Sequence, residues 1–123
     1  MNKLDELFQL EFQGETGDIC RFRCVTNADH PLFAGHFPRM PIVPGVCLLH
    51  VVKRAVSHKL ECEVRFGKIR EAKFLSAINP VEDNAFDIEF RMTEGQEVRA
   101  TIFIGDTQCM KLKATVSGEW KSL

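Results

Sequence analysis

The most constrained segment of this chain reads His30-Pro31-Leu32-Phe33-Ala34-Gly35-His36-Phe37-Pro38-Arg39-Met40-Pro41-Ile42-Val43-Pro44-Gly45-Val46. Four prolines fall within fourteen residues, and each proline fixes its own φ and restricts the residue before it. Such a loop has few conformations and can hold one side chain in place. His36 lies in the middle of it and is therefore a candidate catalytic residue. The alternative reading is a buried structural histidine.

Length and composition predict one small domain over residues 1–123. The chain is 45% hydrophobic and carries a formal net charge of −1, so its overall balance indicates neither nucleic-acid nor membrane binding. Charge is uneven between Val51 and Lys73, where basic residues outnumber acidic ones. This region is either a local basic surface or a solvated face. The residues are Lys53, Arg54, Lys59, Arg65, Lys68, Arg70 and Lys73 against Glu61, Glu63 and Glu71.

The five cysteines indicate reduced thiols. They form an odd set without zinc-type pairing, and the N-terminus lacks the basic and apolar regions of a signal peptide. We therefore expect a cytoplasmic location. We also expect no cofactor and no metal. Cys20 and Cys24 could form half of a metal site. Because they alternate with Arg21 and Arg23, small core side chains on a half-buried strand are favoured.

Apolar spacing predicts one mainly buried helix from Pro44 to about Lys59. Its polar residues share one narrow stripe at i, i+3, i+4 and i+7, namely His50, Lys53, Arg54 and Ser57.

Period-two alternation predicts the strands. A hairpin over Phe8–Cys24 is followed by Cys62–Phe66, Ile69–Ile78, Phe86–Met92, Val98–Ile104 and Met110–Val116. The fold class is therefore α+β, with an antiparallel sheet of about six strands wrapped around one long central helix.

Three motifs resemble the β-hydroxyacyl-(acyl carrier protein) dehydratases, enzymes with the hot-dog fold. They are His30-Pro31, Gly35-His36-Phe37-Pro38 and Pro41-Ile42-Val43-Pro44-Gly45-Val46, with Ala72-Lys73-Phe74 and Asn79-Pro80 in support. The resemblance implies a fatty-acid biosynthesis lyase that acts on acyl carrier protein. It further implies a homodimer with active sites at the subunit interface.

The resemblance also assigns roles to residues. His36 corresponds to the catalytic base, and the Gly45 amide to the group that binds the thioester carbonyl. The family has Asp or Glu fourteen residues after the histidine, where this chain has His50. The expected pocket also includes Phe37, Val46 and Arg54.

Elimination of water from a 3-hydroxyacyl thioester fits these residue types. A neutral imidazole at His36 can remove the α proton, and an amide in the first turn of a helix can stabilise negative charge on the thioester oxygen. His50 would have to protonate the leaving hydroxyl, but Lys53 and Arg54 on the same stripe disfavour its cationic form. Two alternatives stay open: a hot-dog thioesterase, or a degenerate subunit that binds acyl cargo or pairs with an active dehydratase.

Overall fold

A computed structural model describes residues 6–35, 41–93 and 96–118, which contain six strands and two helices. All six strands form one antiparallel sheet in the order β1-β2-β4-β5-β6-β3. The expected α+β class with about six antiparallel strands is confirmed, but the main helix has sixteen residues, an ordinary length. The elements are β1 (Phe8–Thr16), β2 (Ile19–Thr26), α1 (Pro31–Gly35), α2 (Gly45–Leu60), β3 (Arg65–Phe74), β4 (Ala85–Thr93), β5 (Glu97–Ile104) and β6 (Thr107–Ser117).

β3 is one strand where two were predicted. The ladder with β6 shifts register between Phe66 and Ile69 but continues through the shift. A Cβ at Gly67 would lie 2.6 Å from the Thr115 hydroxyl oxygen, so glycine leaves room for that side chain. The hydroxyl also accepts a hydrogen bond from the Lys68 N–H at 2.7 Å. The glycine thus marks an irregularity within the strand rather than its end.

The core lies between one face of the sheet and α2. The helix contributes Cys47, Leu48, Val51, Val52, Ala55 and Val56, all buried. Cys20 and Cys24 of β2 are buried in the same core, as their alternation predicted. The mainly buried helix is therefore confirmed.

Helix α2 begins one residue later than predicted and ends with a left-handed residue. Pro44 precedes the helix in an extended conformation, so Gly45 is the first helical residue. Glu61 has φ 55° and closes the last turn through its N–H to the His58 carbonyl. The Ser57 hydroxyl accepts a hydrogen bond from the Val64 N–H at 3.1 Å, which ties the helix end to the chain leading into β3.

The short helix α1 was not predicted. His30 precedes it, is buried, and accepts a hydrogen bond from the Leu32 N–H on its ring Nδ1 at 3.0 Å. A histidine thus fills the capping place that Ser, Thr, Asp or Asn more often takes. The helix ends at Gly35, immediately before His36.

Candidate active site

His36 and Phe37, the candidate base and its neighbour, lie outside the described residues. The structure describes the chain on both sides of them. Upstream, the buried His30 immediately precedes α1. Downstream, the Val43 N–H donates to the Ile78 carbonyl at 2.9 Å, which joins the entry into α2 to the segment after β3.

Gly45 lies in an apolar cleft between the start of α2 and the end of β3. The cleft has a volume of about 490 Å³, and its lining includes Ile42, Leu48, Phe74 and Leu75. A Cβ at Gly45 would lie 2.9 Å from two ring carbons of Phe74, so the absence of a side chain allows the ring to approach the helix backbone. The cleft is suited to an apolar acyl chain.

The backbone at the entrance of this cleft offers hydrogen-bond donors. The N–H groups of Gly45 and Val46 make no hydrogen bond to another described residue, and Pro44 supplies no side-chain cap. The first N–H groups of a helix lack intrahelical partners, and the helix dipole favours negative charge there. Val46, an expected pocket residue, is 68% exposed beside them. These donors can stabilise an oxygen that gains negative charge.

His50 lines a different cavity, a wide groove between α2 and the β1–β2 end of the sheet. The groove has a volume of about 1210 Å³ and contains the whole predicted polar stripe, together with His58. Arg54 is held across it, since its Nη1 donates to the Phe8 carbonyl at 3.2 Å. The helical spacing therefore correctly predicted which side chains share a face.

Gly45 and His50 lie on different sides of α2 within one chain. Five residues of an α-helix turn through about 500°, which leaves the two positions about 140° apart around the axis. The cleft at Gly45 and the groove at His50 have no lining residue in common. The described part of one chain therefore does not bring these two candidates into one cavity, and Arg54 lines the groove of His50 rather than the cleft of Gly45.

Sequence reasoning missed Phe74 and Leu75 as parts of the cleft. Both are large hydrophobic residues at the end of an edge strand, and both are about half exposed. The Leu75 N–H bonds to the Cys109 carbonyl at 2.8 Å, which fixes the chain as it leaves the strand. The two apolar residues after Lys73 were the available signal in the sequence. The same pattern is equally typical of a strand whose side chains pack into the core.

Four of the five cysteines are buried and poorly suited to act as nucleophiles in thioester chemistry. Burial raises the pKa of the Cys20, Cys24, Cys47 and Cys109 thiols, which disfavours the reactive thiolate. Within residues 6–35, 41–93 and 96–118, no cluster of His, Cys, Asp and Glu could hold a metal ion. Neither helix in these ranges is long and apolar enough to cross a membrane.

Curated relatives are 3-hydroxyacyl-[acyl-carrier-protein] dehydratases FabZ. The protein from Vibrio cholerae is 30% identical over 73 residues, which cover 52% of this chain and 48% of the relative. That from Clostridium kluyveri is 26% identical over 97 residues, covering 72% and 67%. The match to the Vibrio cholerae protein thus spans about half of that relative.

Solved structures with a similar fold include a dehydratase and a putative thioesterase. The dehydratase heterocomplex ApeI:P from Xenorhabdus doucetiae superposes with a TM-score of 0.73 at 19% identity, covering 86% of this chain and 93% of that chain. The putative thioesterase yhdA from Lactococcus lactis has a TM-score of 0.59 at 14% identity, covering 98% and 100%. At these identities the likeness shows the fold alone.

The family model for ApeI-like proteins, the ApeI dehydratases, matches residues 12–116. That range includes the whole of α2 and all six strands, except for the first residues of β1 and the last residue of β6. Together with the FabZ relatives, this match shows that the chain belongs to the ApeI-like dehydratase family of hot-dog proteins.

Proposed function

We propose that this protein removes water from a 3-hydroxyacyl thioester carried by acyl carrier protein in the cytoplasm. The observation that carries the proposal is the start of α2, where the Gly45 and Val46 N–H groups lack a described acceptor beside an apolar cleft. Membership of a dehydratase family supports this chemistry over other uses of the cleft.

The proposed reaction breaks a Cα–H bond and the Cβ–O bond and forms a carbon–carbon double bond. His36 takes the α proton as the neutral imidazole, and the Gly45 amide stabilises negative charge on the thioester oxygen. The hydroxyl leaves as water after it gains a proton. His50 takes the place of the acidic residue in this last step, either as a donor itself or by orienting a water molecule.

A homodimer is part of the proposal. β3 is at one edge of the sheet, so its outer N–H and C=O groups can pair with a second copy. Exposed apolar side chains gather at the same edge, at Ile69, Phe74 and Leu75, with Val46 near the end of the strand. Two copies joined here could also combine the cleft at Gly45 of one with the groove at His50 of the other.

Dehydration is tested with the purified protein and a 3-hydroxyacyl carrier-protein substrate, by following the enoyl thioester. His36→Ala should lower turnover by roughly 10²–10⁴-fold, the usual size of general-base catalysis. His50→Ala should lower turnover, and His50→Glu should maintain or raise turnover. His58→Ala is the matched control, because His58 lines the same groove two turns further along α2. Unchanged turnover in His36→Ala would refute the assigned base.

A second candidate is a subunit that completes its site with a different hot-dog chain. His50 favours it, because this chain lacks a carboxylate at the position where the family has one, and the structurally similar ApeI:P is a heterocomplex. Activity that appears only after a candidate partner is added would support it. A dehydratase that is active alone would exclude it.

A thioesterase is the remaining alternative, and it predicts a different product. Hydrolysis of an acyl thioester releases free thiol, whereas dehydration leaves the thioester intact. A thiol reagent added to the same assay distinguishes the two reactions.

A further inference from the structure

His30, at the start of the short helix α1, is a buried histidine that has no part in the proposed reaction. Only 8% of its surface is exposed. Its ring Nδ1 accepts a hydrogen bond from the Leu32 N–H at 3.0 Å, and its carbonyl accepts one from the Phe33 N–H at 3.1 Å. The first N–H groups of a helix lack intrahelical partners, so His30 caps α1 through both its side chain and its backbone.

The cap determines which ring nitrogen of His30 carries the proton. To accept the Leu32 N–H, Nδ1 must present its lone pair, and the proton of the neutral ring is then on Nε2. The basic nitrogen of this ring is therefore already bound to the backbone. This arrangement favours a positioning role for His30 over removal of a proton from substrate.

Helix α1 is too short to keep its conformation without such support. It comprises the five residues Pro31–Gly35, and helices of this length are unstable on their own. Its first turn has no acidic residue and its last turn has no basic residue, so charged side chains do not stabilise the helix dipole. The cap from His30 and the buried ring of Phe33 hold the helix in place.

The capping residue is itself fixed to the sheet. Asn27, the first residue after β2, donates its N–H to the Leu7 carbonyl at 2.8 Å. The Asn27 carbonyl accepts the His30 N–H at 3.1 Å, and its side-chain oxygen accepts the Asp29 N–H at 3.1 Å. A compact turn thus joins the end of β2 to His30, and the cap transmits the position of the sheet to α1.

Helix α1 ends at Gly35, and the next residue is His36, the proposed base. We propose that His30 is a positioning residue for His36, because its cap on Leu32 fixes the direction in which the chain leaves α1. A general base must lie within hydrogen-bond reach of the proton that it removes, so a small change in this direction slows the chemical step. The proposal rests on the proposed function and extends it to a residue that acts through the backbone.

The groups that bind substrate in the proposed function lie on other elements. The cleft at Gly45 is lined by residues of α2, of β3 and of the segments beside them, and Pro31, Leu32 and Phe33 of α1 do not line it. Loss of the cap should therefore lower kcat and leave KM nearly unchanged. A purely structural role of His30 predicts lower stability with an unchanged kcat of the folded protein.

Asparagine and glutamine at position 30 distinguish capping from a role of the second ring nitrogen. The side-chain oxygen of asparagine is as far from the backbone as Nδ1 of histidine, and asparagine is among the preferred capping residues. Glutamine carries its amide one carbon further out, close to the place of Nε2. Capping therefore predicts that His30→Asn resembles wild type and that His30→Gln resembles His30→Ala.

The test measures kcat and KM of the full-length protein for a 3-hydroxyacyl N-acetylcysteamine thioester. His30→Ala and His30→Gln should each lower kcat about fivefold, the usual contribution of a helix cap, and His30→Asn should stay within about twofold of wild type. Asn79→Ala is the matched control, and its kcat should not change. It removes the acceptor of the Val81 N–H at 2.9 Å, a bond with the same residue spacing, in the loop between β3 and β4.

NMR spectra provide a second measurement that does not need turnover. The imidazole signals of His36 are assigned by their loss in His36→Ala. They should shift in His30→Ala and His30→Gln and remain as in wild type in His30→Asn, and the Leu32 amide should exchange faster in the first two variants. If the wild-type protein does not dehydrate the substrate, the proposed function fails, and the His36 signals decide the proposal about His30.

Three results would overturn the proposal. The first is an unchanged kcat in a folded His30→Ala protein whose Leu32 amide exchanges faster. The second is a His30→Gln variant that is at least as active as His30→Asn, and the third is a set of His36 signals that do not respond to loss of the cap. Thermal unfolding is measured for every variant, and if His30→Ala fails to fold, the comparison of His30→Asn with His30→Gln decides.

Discussion

The contact between Gly45 and Phe74 can be tested with a double-mutant cycle. An added Cβ at Gly45 would lie 2.9 Å from the Phe74 ring, about 0.6 Å inside the closest favourable carbon–carbon distance. The ring is 52% exposed and can move. We therefore expect the contact with the added Cβ to lower the free energy of unfolding by about 1 kcal/mol, the low end for overpacking. Alanine also has less backbone freedom than glycine in the unfolded chain, which favours Gly45→Ala by up to about 1 kcal/mol. In the wild-type background Gly45→Ala should therefore leave the free energy of unfolding nearly unchanged.

The Phe74→Ala background separates the two contributions. Without the ring, only the effect on the unfolded chain remains, and Gly45→Ala should stabilise the protein by up to about 1 kcal/mol in urea unfolding. The Phe74 ring lines the cleft, so in wild type we expect its displacement to change the shape of the cleft and to lower kcat/KM for the 3-hydroxyacyl substrate by about tenfold. In the Phe74→Ala background, Gly45→Ala should change kcat/KM less. Equal effects of Gly45→Ala in both backgrounds, on stability and on kcat/KM, would refute a steric coupling through this ring.

Three further predictions concern other residues. Thr26→Val should raise the free energy of unfolding by about 1 kcal/mol, because the Thr26 hydroxyl is buried and has no hydrogen-bond partner in the part of the chain that the structure describes; a lower urea midpoint would contradict this. His30→Ala should lower the free energy of unfolding by about 1 kcal/mol, because it removes the acceptor of the Leu32 N–H. His30→Asn should recover part of this loss, and equal losses in the two variants would show that capping is not the cause. Because the hydrogen bond from Lys73 holds the native pKa of Glu71 below its ordinary value, the contribution of this carboxylate to stability is present at neutral pH and is lost as the pH falls through that native pKa. Lys73→Met should raise this pKa in an NMR titration and reduce the loss in acid; an unchanged pKa would show that Lys73 is not responsible.

Patterns within one element were predictable from the sequence. The stripe from His50 to Ser57 lies in one groove because helical spacing alone determines which side chains share a face. The alternation around Cys20 and Cys24 likewise placed both thiols in the core. These features depend on local geometry, which the residue pattern encodes directly.

Features that depend on distant contacts were not predictable. The continuity of β3 relies on Thr115, which lies far along the chain from Gly67 and bonds to the backbone beside it. The Phe74 ring reaches Gly45 only after β3 has paired with β6. The role of His36 stays a prediction from the family resemblance.

The separation of the cleft at Gly45 from the groove at His50 has a consequence for how such proteins can change. Suppose that each active centre takes His36 and the start of α2 from one subunit and His50 from the other. A substitution at His36 or at His50 then inactivates only the centre to which the altered residue belongs. Mixing His36→Ala subunits with His50→Ala subunits should then restore one intact centre in a mixed dimer. Gene duplication would allow one copy to lose its carboxylate while the other retains it, so that two incomplete chains remain active only as a pair.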